Sequence, residues 1–442
     1  MGNRLLKLLA PVLFIANLVV ILVVWWHGVL PEIQADMVAG PLVAFGRLAG
    51  LLAFYLILWQ IMFIGRVGWI EKAWGHDKLS RFHHFFGLTA ISILFFHPIL
   101  LMMGYSKLAQ TTLASQFWLF LTSYYYTISA LIAYLMFLGI VVMSLWIVRK
   151  WLKYETWYYI HFTLYVAIVL AFIHQPANGH DLADRAMRIY WWFLFLAASV
   201  NVLYYRLTRP IILFKRHEFR VKRIEKETHN VHSVTITGKN LERFKARAGQ
   251  FIIVRFLAKG FWWEAHPFSF SEMPSGQRLR ITPKAVGDFT KKIPTLPVGT
   301  KIIVEGPLGR FTADRAPRGK ILLIAGGIGI TPLRSLFEEF VRQGREVSLI
   351  YAAQTEQDFA LKDELNQIRS TSDVHQIAKI HYMPENKIGR LTPELIKQAV
   401  PDVAQRFVYL CGPPPMMKAV REQLESLGVP KKSVLYEKFQ LG

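Results

Sequence analysis

The stretch "RFHHFFGLTAISILFFHP", residues 81–98, decides the fold of the first half of the chain. The run from Phe85 to Phe96 contains no charged residue and is bracketed by histidines. Such a run predicts a membrane-spanning helix, but an imidazole at lipid depth is costly unless it has a partner. The stretch therefore predicts a span that carries a polar function within the bilayer.

Five other apolar runs predict further spans. The N-terminal run, residues 1–26, has a short basic start, about twenty apolar residues and no clear cleavage site, which favours a retained span over a secretory signal. The other runs cover residues 41–64, 126–148, 157–174 and 189–206. Each approaches the length that crosses about 30 Å of hydrocarbon as a helix. The sequence therefore predicts a six-helix transmembrane bundle, with the lipid bilayer as its partner.

The placement of the basic residues predicts the orientation. Of the 442 residues 53% are hydrophobic, and many charges that make up the net +22 lie beside apolar runs, which argues against nucleic acid as a partner. The loop 65–81 and the segment after residue 206 are rich in Lys and Arg, the loops 28–40 and 105–125 are poor, and the loop 175–188 is mixed. The positive-inside rule then places both termini in the cytoplasm, in a multi-pass protein of the cell (inner) membrane.

The composition changes after about Arg209, because no later run could span a bilayer. Segments such as "VHSVTITG" and "GQFIIVRF" predict the strands of an antiparallel β-barrel. From Lys320 onward, strands alternate with helices, which predicts an α/β domain with a parallel sheet. The predicted domains are thus a transmembrane bundle at 1–209, a β-barrel at 210–315 and an α/β domain at 316–442.

Four histidines occupy matched positions on two of the predicted spans. His83 and His97 are fourteen residues apart on the third span, and His161 and His174 are thirteen apart on the fifth. Both spans run in the same direction. The two histidines of each span are about 20 Å apart along the helix axis, at 1.5 Å of rise per residue. His83 is therefore expected to face His161, and His97 to face His174, which gives two bis-imidazole metal sites stacked across the membrane.

Two alternatives stay open at this point. Fourteen residues return to within about 40° of the same helix face, but thirteen do not, so the fifth span needs a local bulge or a long reach. His84 competes with His83 as the inner ligand. Any single one of these histidines would also be explained as a hydrogen-bonding packing residue.

Six spans with paired histidines on the third and fifth, followed by a barrel and an α/β domain, resemble the ferric reductase and NADPH oxidase superfamily. The resemblance covers nearly the whole chain apart from the first span. It implies that the four histidines bind two b-type hemes. It also implies that the second half is a ferredoxin reductase-like dehydrogenase that binds FAD and either NADPH or NADH.

Two segments resemble the flavin signatures of that family, namely "HPFSFS" at 266–271 and "GDFTKKI" at 287–293. The resemblance implies that Phe268 packs on the isoalloxazine, that the Ser269 hydroxyl lies near flavin N5, and that His266 helps to hold the phosphate or ribitol. The backbone N–H groups at the start of the second segment would cradle the pyrophosphate. The predicted flavin-binding residues are His266, Pro267, Phe268, Ser269, Ser271, Gly287, Asp288, Phe289 and Thr290.

The nucleotide site is predicted from two later segments. "AGGIGITP", residues 325–332, follows an apolar strand and opens a helix, so its glycines let the backbone approach a pyrophosphate. "CGPPPMM", beginning at Cys411, would end a later strand beside the nicotinamide. Cys411 is the only cysteine, so no internal disulfide can form, and its alternative role is that of a buried core thiol. The predicted nucleotide-binding residues are Gly326, Gly327, Gly329, Thr331, Pro332, Gln354, Cys411, Gly412 and Pro413.

The resemblance also assigns a catalytic set and leaves the nucleotide open. A C-terminal aromatic, here Phe439, would cover the flavin face with Glu437 as a polar neighbour, so the predicted catalytic residues are Cys411, Ser269, Glu437 and Phe439. Gln354 stands where NADPH-specific relatives carry an arginine, and no acidic residue replaces it. Since Lys387 or Arg390 would still reach a phosphate, both NADPH and NADH fit the sequence.

The implied function is electron transfer from cytoplasmic NAD(P)H through FAD and two hemes to an acceptor outside. That acceptor is oxygen, which would give superoxide, or a ferric chelate. Arg47, in the outer half of the second span, would attract superoxide, a ferric chelate or a heme propionate. Its alternative role is to snorkel to the membrane interface. The alternatives are an electron-donating membrane subunit that serves an extracytoplasmic partner protein, and a flavoreductase anchored by a heme-free bundle.

Overall fold

The structure is a computed structural model that describes residues 2–144, 151, 154–317, 319–370 and 377–437. It divides into two compact units, Met1–Arg206 and Leu207–Gly442. Each unit has its own hydrophobic core. The three domain ranges drawn from the sequence stay predictions at the precision of single residues.

The first unit is a helical bundle. Its helices are α1 (Gly2–Ala35), α2 (Ala39–Ile64), α3 (Gly68–Trp74), α4 (His76–Leu108), α5 (Leu113–Ser123), α6 (Thr127–Ser144), α7 (Tyr154–Phe162), α8 (Leu164–Asn178) and α9 (Arg185–Leu203), and a π-helical turn follows at Tyr204–Thr208. Within the described residues six helical segments are long and apolar enough to cross a membrane, namely Leu5–Leu30, Ala39–Ile64, Lys78–Leu108, Thr127–Ser144, Thr156–Asn178 and Arg185–His217. The chain is therefore a multi-pass membrane protein, as the apolar runs predict.

Helix α2 forms the centre of this bundle. It is the most buried of the six spans, and it packs along α4 as well as against α1 and α9. Phe54 of α2 contacts Phe172 and Trp191, and Phe172 stacks on Phe195 with 3.9 Å between ring centroids. The other spans expose most of their apolar side chains, as expected for surfaces that face lipid rather than protein.

The fifth span is interrupted between α7 and α8. The N–H of Thr163 donates to the carbonyl of Ile160 at 3.0 Å, and the N–H of Val166 donates to the carbonyl of Thr163 at 2.9 Å. These bonds connect residues three apart, so the chain turns through about 120° per residue here instead of 100°. The tighter turn rotates His174 part of the way toward the face of His161.

The second unit begins with α10 (Arg209–His217) and a β-barrel. The barrel strands are β1 (Arg220–Lys226), β2 (His232–Thr237), β3 (Phe251–Phe256), β4 (His266–Ser269), β5 (Leu279–Ile281) and β6 (Ile302–Leu308), with the short helix α11 (Asp288–Lys292) between the last two. They form antiparallel sheets in the orders β1-β2-β5 and β4-β3-β6. Apolar residues from both sheets share one core.

An α/β domain completes the second unit. Its elements are β7 (Ile321–Gly326), α12 (Ile330–Arg342), β8 (Val347–Ala353), α13 (Lys362–Ser370), β9 (Ala378–Pro384), α14 (Glu385–Ile388), α15 (Pro393–Ala399), β10 (Phe407–Cys411), α16 (Pro414–Ser426) and β11 (Val434–Glu437). The five strands are parallel in the order β11-β10-β7-β8-β9. This order brings the carboxyl ends of β7, β10 and β11 to one edge, where ligands of such sheets bind. The predicted fold class is confirmed.

Candidate functional site

His83 and His161 form the first pair in the bundle. Their ring centroids are 5.9 Å apart. The Nδ1–H of His83 donates to the carbonyl of Gln60 at 3.2 Å, while Nδ1 of His161 is buried and has no hydrogen-bond partner among the described residues. His84, the neighbour that competes with His83, is exposed. The structure thus brings His83, rather than His84, to His161.

His97 and His174 form the second pair. The Nδ1–H of His97 donates to the carbonyl of Gly46 at 2.8 Å, and the side-chain amide nitrogen of Asn178 lies 3.0 Å from Nδ1 of His174. When the Nδ1–H of a histidine donates to a second group, as that of His97 does, Nε2 is left free and oriented for a metal.

These pairs fit heme better than a bare metal ion. Among the described residues no group of three or more His, Cys, Asp or Glu side chains is placed to hold an ion. A heme needs only two axial ligands because its macrocycle supplies the others. The Nδ1–H groups of His83 and His97 donate to backbone carbonyls and leave both Nε2 atoms free as ligands, which agrees with bis-imidazole heme ligation.

Glycines on α2 make room for the second pair. A Cβ on Gly50 would lie 2.7 Å from Cε1 and Nδ1 of His97, and a Cβ on Gly46 would lie 2.9 Å from the side chain of Leu101. Gly46 and Gly50 form a G-x-x-x-G pattern, which lets membrane helices approach closely. This pattern is a signal in the sequence that would have located the contact between α2 and α4.

Arg47 lies in a buried ion pair with Asp181. Its Nε and Nη2 donate to the two carboxylate oxygens at 2.9 and 2.5 Å, and both side chains are less than 10% exposed. The charge of Arg47 is therefore balanced by a buried carboxylate. The sequence reasoning treated Asp181 only as a charge in a mixed loop and missed this partner.

Strand β4 carries the predicted flavin signature. The hydroxyl of Ser269 is buried and has no hydrogen-bond partner among the described residues. It therefore fits a hydrogen bond to a bound ligand, as donor or as acceptor. Nε2 of His266 lies 2.9 Å from a carboxylate oxygen of Glu264, and the imidazole packs on Phe289 with ring centroids 4.0 Å apart. Glu264, which the sequence analysis did not select, therefore orients His266. Pro267 and Phe268 lie on the same strand, half-buried.

Two predicted flavin contacts, Gly287 and Ser271, have hydrogen-bond partners within the protein. Thr290 Oγ1 accepts hydrogen bonds from the N–H groups of Val286 and Gly287 at 3.0 and 3.1 Å, so the N–H of Gly287 is not available to a pyrophosphate. Ser271 is fully buried, and its hydroxyl accepts from Thr282 Oγ1 at 2.7 Å. Ser271 therefore supports the end of the flavin strand from inside the barrel. The exposed Asp288 follows Gly287 at the start of α11, a helix of only five residues.

The two nucleotide segments meet at the edge of the sheet. A Cβ on Gly329 would lie 2.2 Å from the carbonyl oxygen of Cys411, and a Cβ on Gly326 would lie 2.2 Å from Sδ of Met416. Gly327 has φ +51° and no atom within 4 Å of its Cβ position. Gly326 and Gly329 permit the two loops to pack together, and Gly327 leaves open space in front of them. Gly412 and Pro413 continue β10 beside this loop, and Thr331 and Pro332 open α12 behind it.

Cys411 and Glu437 are neighbours on β10 and β11. Cys411 is fully buried, and its Sγ lies 3.8 Å from the carbonyl oxygen of Glu437 on the neighbouring strand. This position is that of a buried core thiol, the alternative role considered for Cys411. A carboxylate oxygen of Glu437 lies 3.3 Å from the Cβ position of Gly309, just after barrel strand β6. Glu437 therefore sits where the barrel meets the α/β domain. Phe439 lies outside the described residues.

The region after β8 contains the residues considered for nucleotide choice. Gln354 is exposed, and its carbonyl accepts from the N–H of Asn386 at 3.0 Å. Lys387 pairs with Glu356 at 2.8 Å, and Arg390 is exposed nearby in the chain. The turn after β8 and the segment 385–390 are therefore adjacent, as a role in nucleotide choice requires.

Comparison with known families gives three matches in chain order. Residues 49–172 match the family described as "Ferric reductase like transmembrane component", residues 214–311 match "FAD-binding domain", and residues 323–422 match "Oxidoreductase NAD-binding domain". The three matched regions are similar to a ferric reductase-like transmembrane component joined to the FAD-binding and NAD-binding domains of a flavin-dependent reductase. The order of the three matches along the chain agrees with the order of domains that the motifs predict.

Individual relatives share only part of the chain. The reductase component of propane 2-monooxygenase from Rhodococcus jostii is 31% identical over 240 residues, which are 50% of this chain and 62% of that protein. Flavohemoprotein A of Dictyostelium discoideum is 28% identical over 186 residues, or 39% and 46%. NADH-cytochrome b5 reductase 1 of Coccidioides immitis is 33% identical over 163 residues, or 34% and 53%. The chain thus spans about half to three-fifths of the length of these curated relatives.

Proposed function

We propose that this chain transfers electrons from cytoplasmic NADPH or NADH, through FAD and two b-type hemes, to an acceptor on the outer side of the membrane. The observation that carries the proposal is the approach of the His83 and His161 rings, 5.9 Å apart, on two spans that also carry His97 and His174. A chain with FAD-binding and NAD-binding domains needs a relay of this kind if its electrons are to leave the cytoplasm.

The bound groups would supply the redox chemistry. FAD, when bound, converts a two-electron hydride donor into single electrons, and each heme carries one electron. The protein's part is to hold and orient these groups. His83, His161, His97 and His174 would ligate iron through Nε2, and the carbonyls of Gln60 and Gly46 would fix two of the imidazoles by accepting from the Nδ1–H groups of His83 and His97.

The residues of the second unit would align donor and acceptor for hydride transfer. Ser269 would donate or accept a hydrogen bond at flavin N5 with its partnerless hydroxyl, and Glu264 would keep His266 directed at the phosphate or ribitol. The glycine loop 326–329 would bring the nucleotide pyrophosphate to the start of α12. Glu437 would provide the polar group where nicotinamide approaches the flavin, with Phe439 covering the flavin face and Cys411 supporting the strand end.

The acceptor would be reduced at the heme edge, because histidines would hold each heme iron from both sides. Oxygen and a ferric chelate are the two acceptors of this first candidate. The second candidate is an electron-donating membrane subunit whose acceptor is an extracytoplasmic partner protein. The presence of donor domains and relay histidines in one chain favours the first.

The first experiment is visible spectroscopy of the full-length protein in detergent under anaerobic conditions. Spectra are recorded before and after addition of NADPH or NADH, and again after air or a ferric chelate is admitted. We expect sharp b-type bands to appear with the nucleotide, and the nucleotide that works at lower concentration is the preferred donor. Bands that vanish in air identify oxygen as a competent acceptor.

The other outcomes separate the alternatives. Bands that persist in air but vanish with a ferric chelate identify the chelate as the acceptor, and bands that persist with both point to a partner protein. Protein supplied with heme during expression that shows no heme absorbance, even with dithionite, would contradict the ligand assignment. In that case only a membrane-anchored cytoplasmic flavoreductase would remain.

A further inference from the structure

A network of charged side chains connects barrel strand β5 to helices α12 and α13. Arg280 of β5 is 5% exposed, and both of its terminal nitrogens bond to the carboxylate of Glu364 on α13, Nη2 at 2.7 Å. Arg334 of α12 is 7% exposed and pairs with the same carboxylate at 2.9 Å. Glu364 is thus shared by one guanidinium from the barrel and one from the α/β domain.

The barrel side of this network holds the end of the flavin strand. Nη2 of Arg280 donates to the carbonyl of Ser271 at 3.0 Å, and Nε donates to the Ser271 hydroxyl at 3.2 Å. Ser271 lies two residues after Ser269, whose hydroxyl is assigned to flavin N5. A movement of Arg280 would therefore be passed directly to the strand that positions the flavin.

The other side of the network holds the helix of the nucleotide loop. Arg334 lies on α12, which begins directly after the glycine loop 326–329, and it pairs with Glu338 of the same helix. Glu338 also accepts from the N–H of Met273, just beyond the flavin strand, at 3.3 Å. The loop that would bind the nucleotide and the strand that would bind the flavin are therefore tied to one set of side chains.

We propose that Arg280 and Glu364 are positioning residues for hydride transfer, in that they fix the alignment of the nucleotide loop with the flavin strand. The proposal deepens the proposed function and rests on it. In this step the C4–H bond of the reduced nicotinamide breaks and an N–H bond forms at flavin N5, so one hydrogen nucleus moves with two electrons. Such a step is sensitive to alignment, since a misplacement of about 1 Å costs on the order of a hundredfold in rate.

The geometry of the pair supports alignment as its purpose. A buried ion pair contributes little net stability compared with apolar packing, but its two-pronged hydrogen bonds fix orientation. Burial alone would raise the pKa of Glu364, but the hydrogen bonds from Arg280 and the charges of Arg280 and Arg334 hold it below its ordinary value. The carboxylate is therefore ionised at neutral pH and accepts from both guanidinium groups.

The test uses Glu364→Gln in the full-length, FAD-loaded protein. Glutamine keeps the size of the side chain but removes its charge and one acceptor oxygen. Flavin reduction is followed anaerobically by stopped flow at saturating NAD(P)H, with protium or deuterium at C4 of the nicotinamide. We expect the rate to fall by about tenfold or more, with a larger deuterium isotope effect, while FAD content and nucleotide affinity stay within about twofold.

Matched variants and a second measurement separate alignment from folding. Glu425→Gln removes a carboxylate from the exposed pair with Lys431 and should leave the rate and isotope effect unchanged. Arg280→Lys keeps the charge but loses the planar fork, so it should slow the hydride step as well. Amide hydrogen exchange in residues 271–281 and 362–370 should rise in Glu364→Gln and not in Glu425→Gln.

Two results would overturn the positioning role. One is a Glu364→Gln protein with the unaltered rate and isotope effect, and the other is a rate loss that matches an equal loss of bound FAD. If the unaltered protein fails to reduce its flavin with either nucleotide, the proposed function itself is wrong, which is a distinguishable outcome.

Discussion

At the scale of single residues, the approach of Gly50 to His97 makes a sharp prediction. A Cβ at position 50 would lie 2.7 Å from two atoms of the imidazole, a distance that no pair of packed atoms tolerates. Gly50→Ala should therefore displace His97 from its bond to the carbonyl of Gly46. We expect the purified variant to hold about half the heme per chain of the unaltered protein, because one of the two histidine pairs is lost.

The control for this substitution is Gly139→Ala. A Cβ on Gly139 of α6 would meet no atom within 4 Å, so the same chemical change creates no contact there. Heme content is measured from the reduced pyridine-heme spectrum and divided by protein concentration. Full heme content in Gly50→Ala would show that His97 does not hold a heme.

Residues differ in how far the sequence reveals their roles. The four ligand candidates follow from spacing along two helices, because helical rise and rotation are local properties. The bond between Arg47 and Asp181 joins residues 134 positions apart, so no local pattern contains it. The same holds for Glu264 beside His266, since nothing in "WWEAHPFS" requires the carboxylate to turn back onto the imidazole.

At the scale of elements, a second ion network fixes the edge of the parallel sheet opposite the nucleotide loop. Asp402 bonds to Arg406 at 2.7 Å and to Lys320 at 2.8 Å, and these basic residues immediately precede β10 and β7. Burial tends to raise the pKa of Asp402, but hydrogen bonds from Arg406 and Lys320 lower it to about 2. The carboxylate thus stabilises the pairing of two central strands only while it is ionised.

The sign of this effect defines a pH test. A carboxyl group whose pKa is lower in the folded state stabilises that state above its unfolded pKa of about 4, and this contribution is lost as the pH falls through about 2. Asp402→Asn should therefore lower the melting temperature of the second unit, followed in the full-length protein, by about 2–4 °C at both pH 7 and pH 5. The difference should shrink at pH 3. A difference already absent at pH 5 would show that Asp402 is not held ionised by its neighbours.

Elements are predicted well where their signal is local. The six spans follow from apolar runs, and the thirteen-residue spacing indicates that the fifth span is irregular. The position of the irregularity at Thr163 depends on which carbonyl each N–H selects, and the strand order β11-β10-β7-β8-β9 depends on pairings between distant segments. The hydrogen bond from the N–H of Gly287 to the Thr290 hydroxyl is equally hard to predict from the sequence. Nothing in the residue type distinguishes this threonine from an ordinary helix or capping residue.

At the scale of the whole molecule, the proposed relay assigns an order to the two histidine pairs. If electrons enter at the His83/His161 heme, then loss of that site should isolate the other heme from the flavin. We expect His83→Ala to keep one heme that dithionite reduces but that NAD(P)H reduces about tenfold more slowly or not at all. His97→Ala should instead keep a heme that NAD(P)H reduces at the unaltered rate, while reduction of the external acceptor falls.

The exposed neighbour His84 supplies the matched control for this order. His84→Ala removes an imidazole one position from His83 without touching either pair, so it should retain both hemes and the unaltered rate of heme reduction. Flavin reduction by NAD(P)H should be unchanged in all three variants, because the residues proposed for that step lie in the second unit. If the heme left in His83→Ala is reduced by NAD(P)H as fast as in the unaltered protein, electrons do not enter at His83 and His161. If instead His84→Ala loses a heme, the inner ligand is His84, and the bond from His83 to Gln60 is only a packing contact.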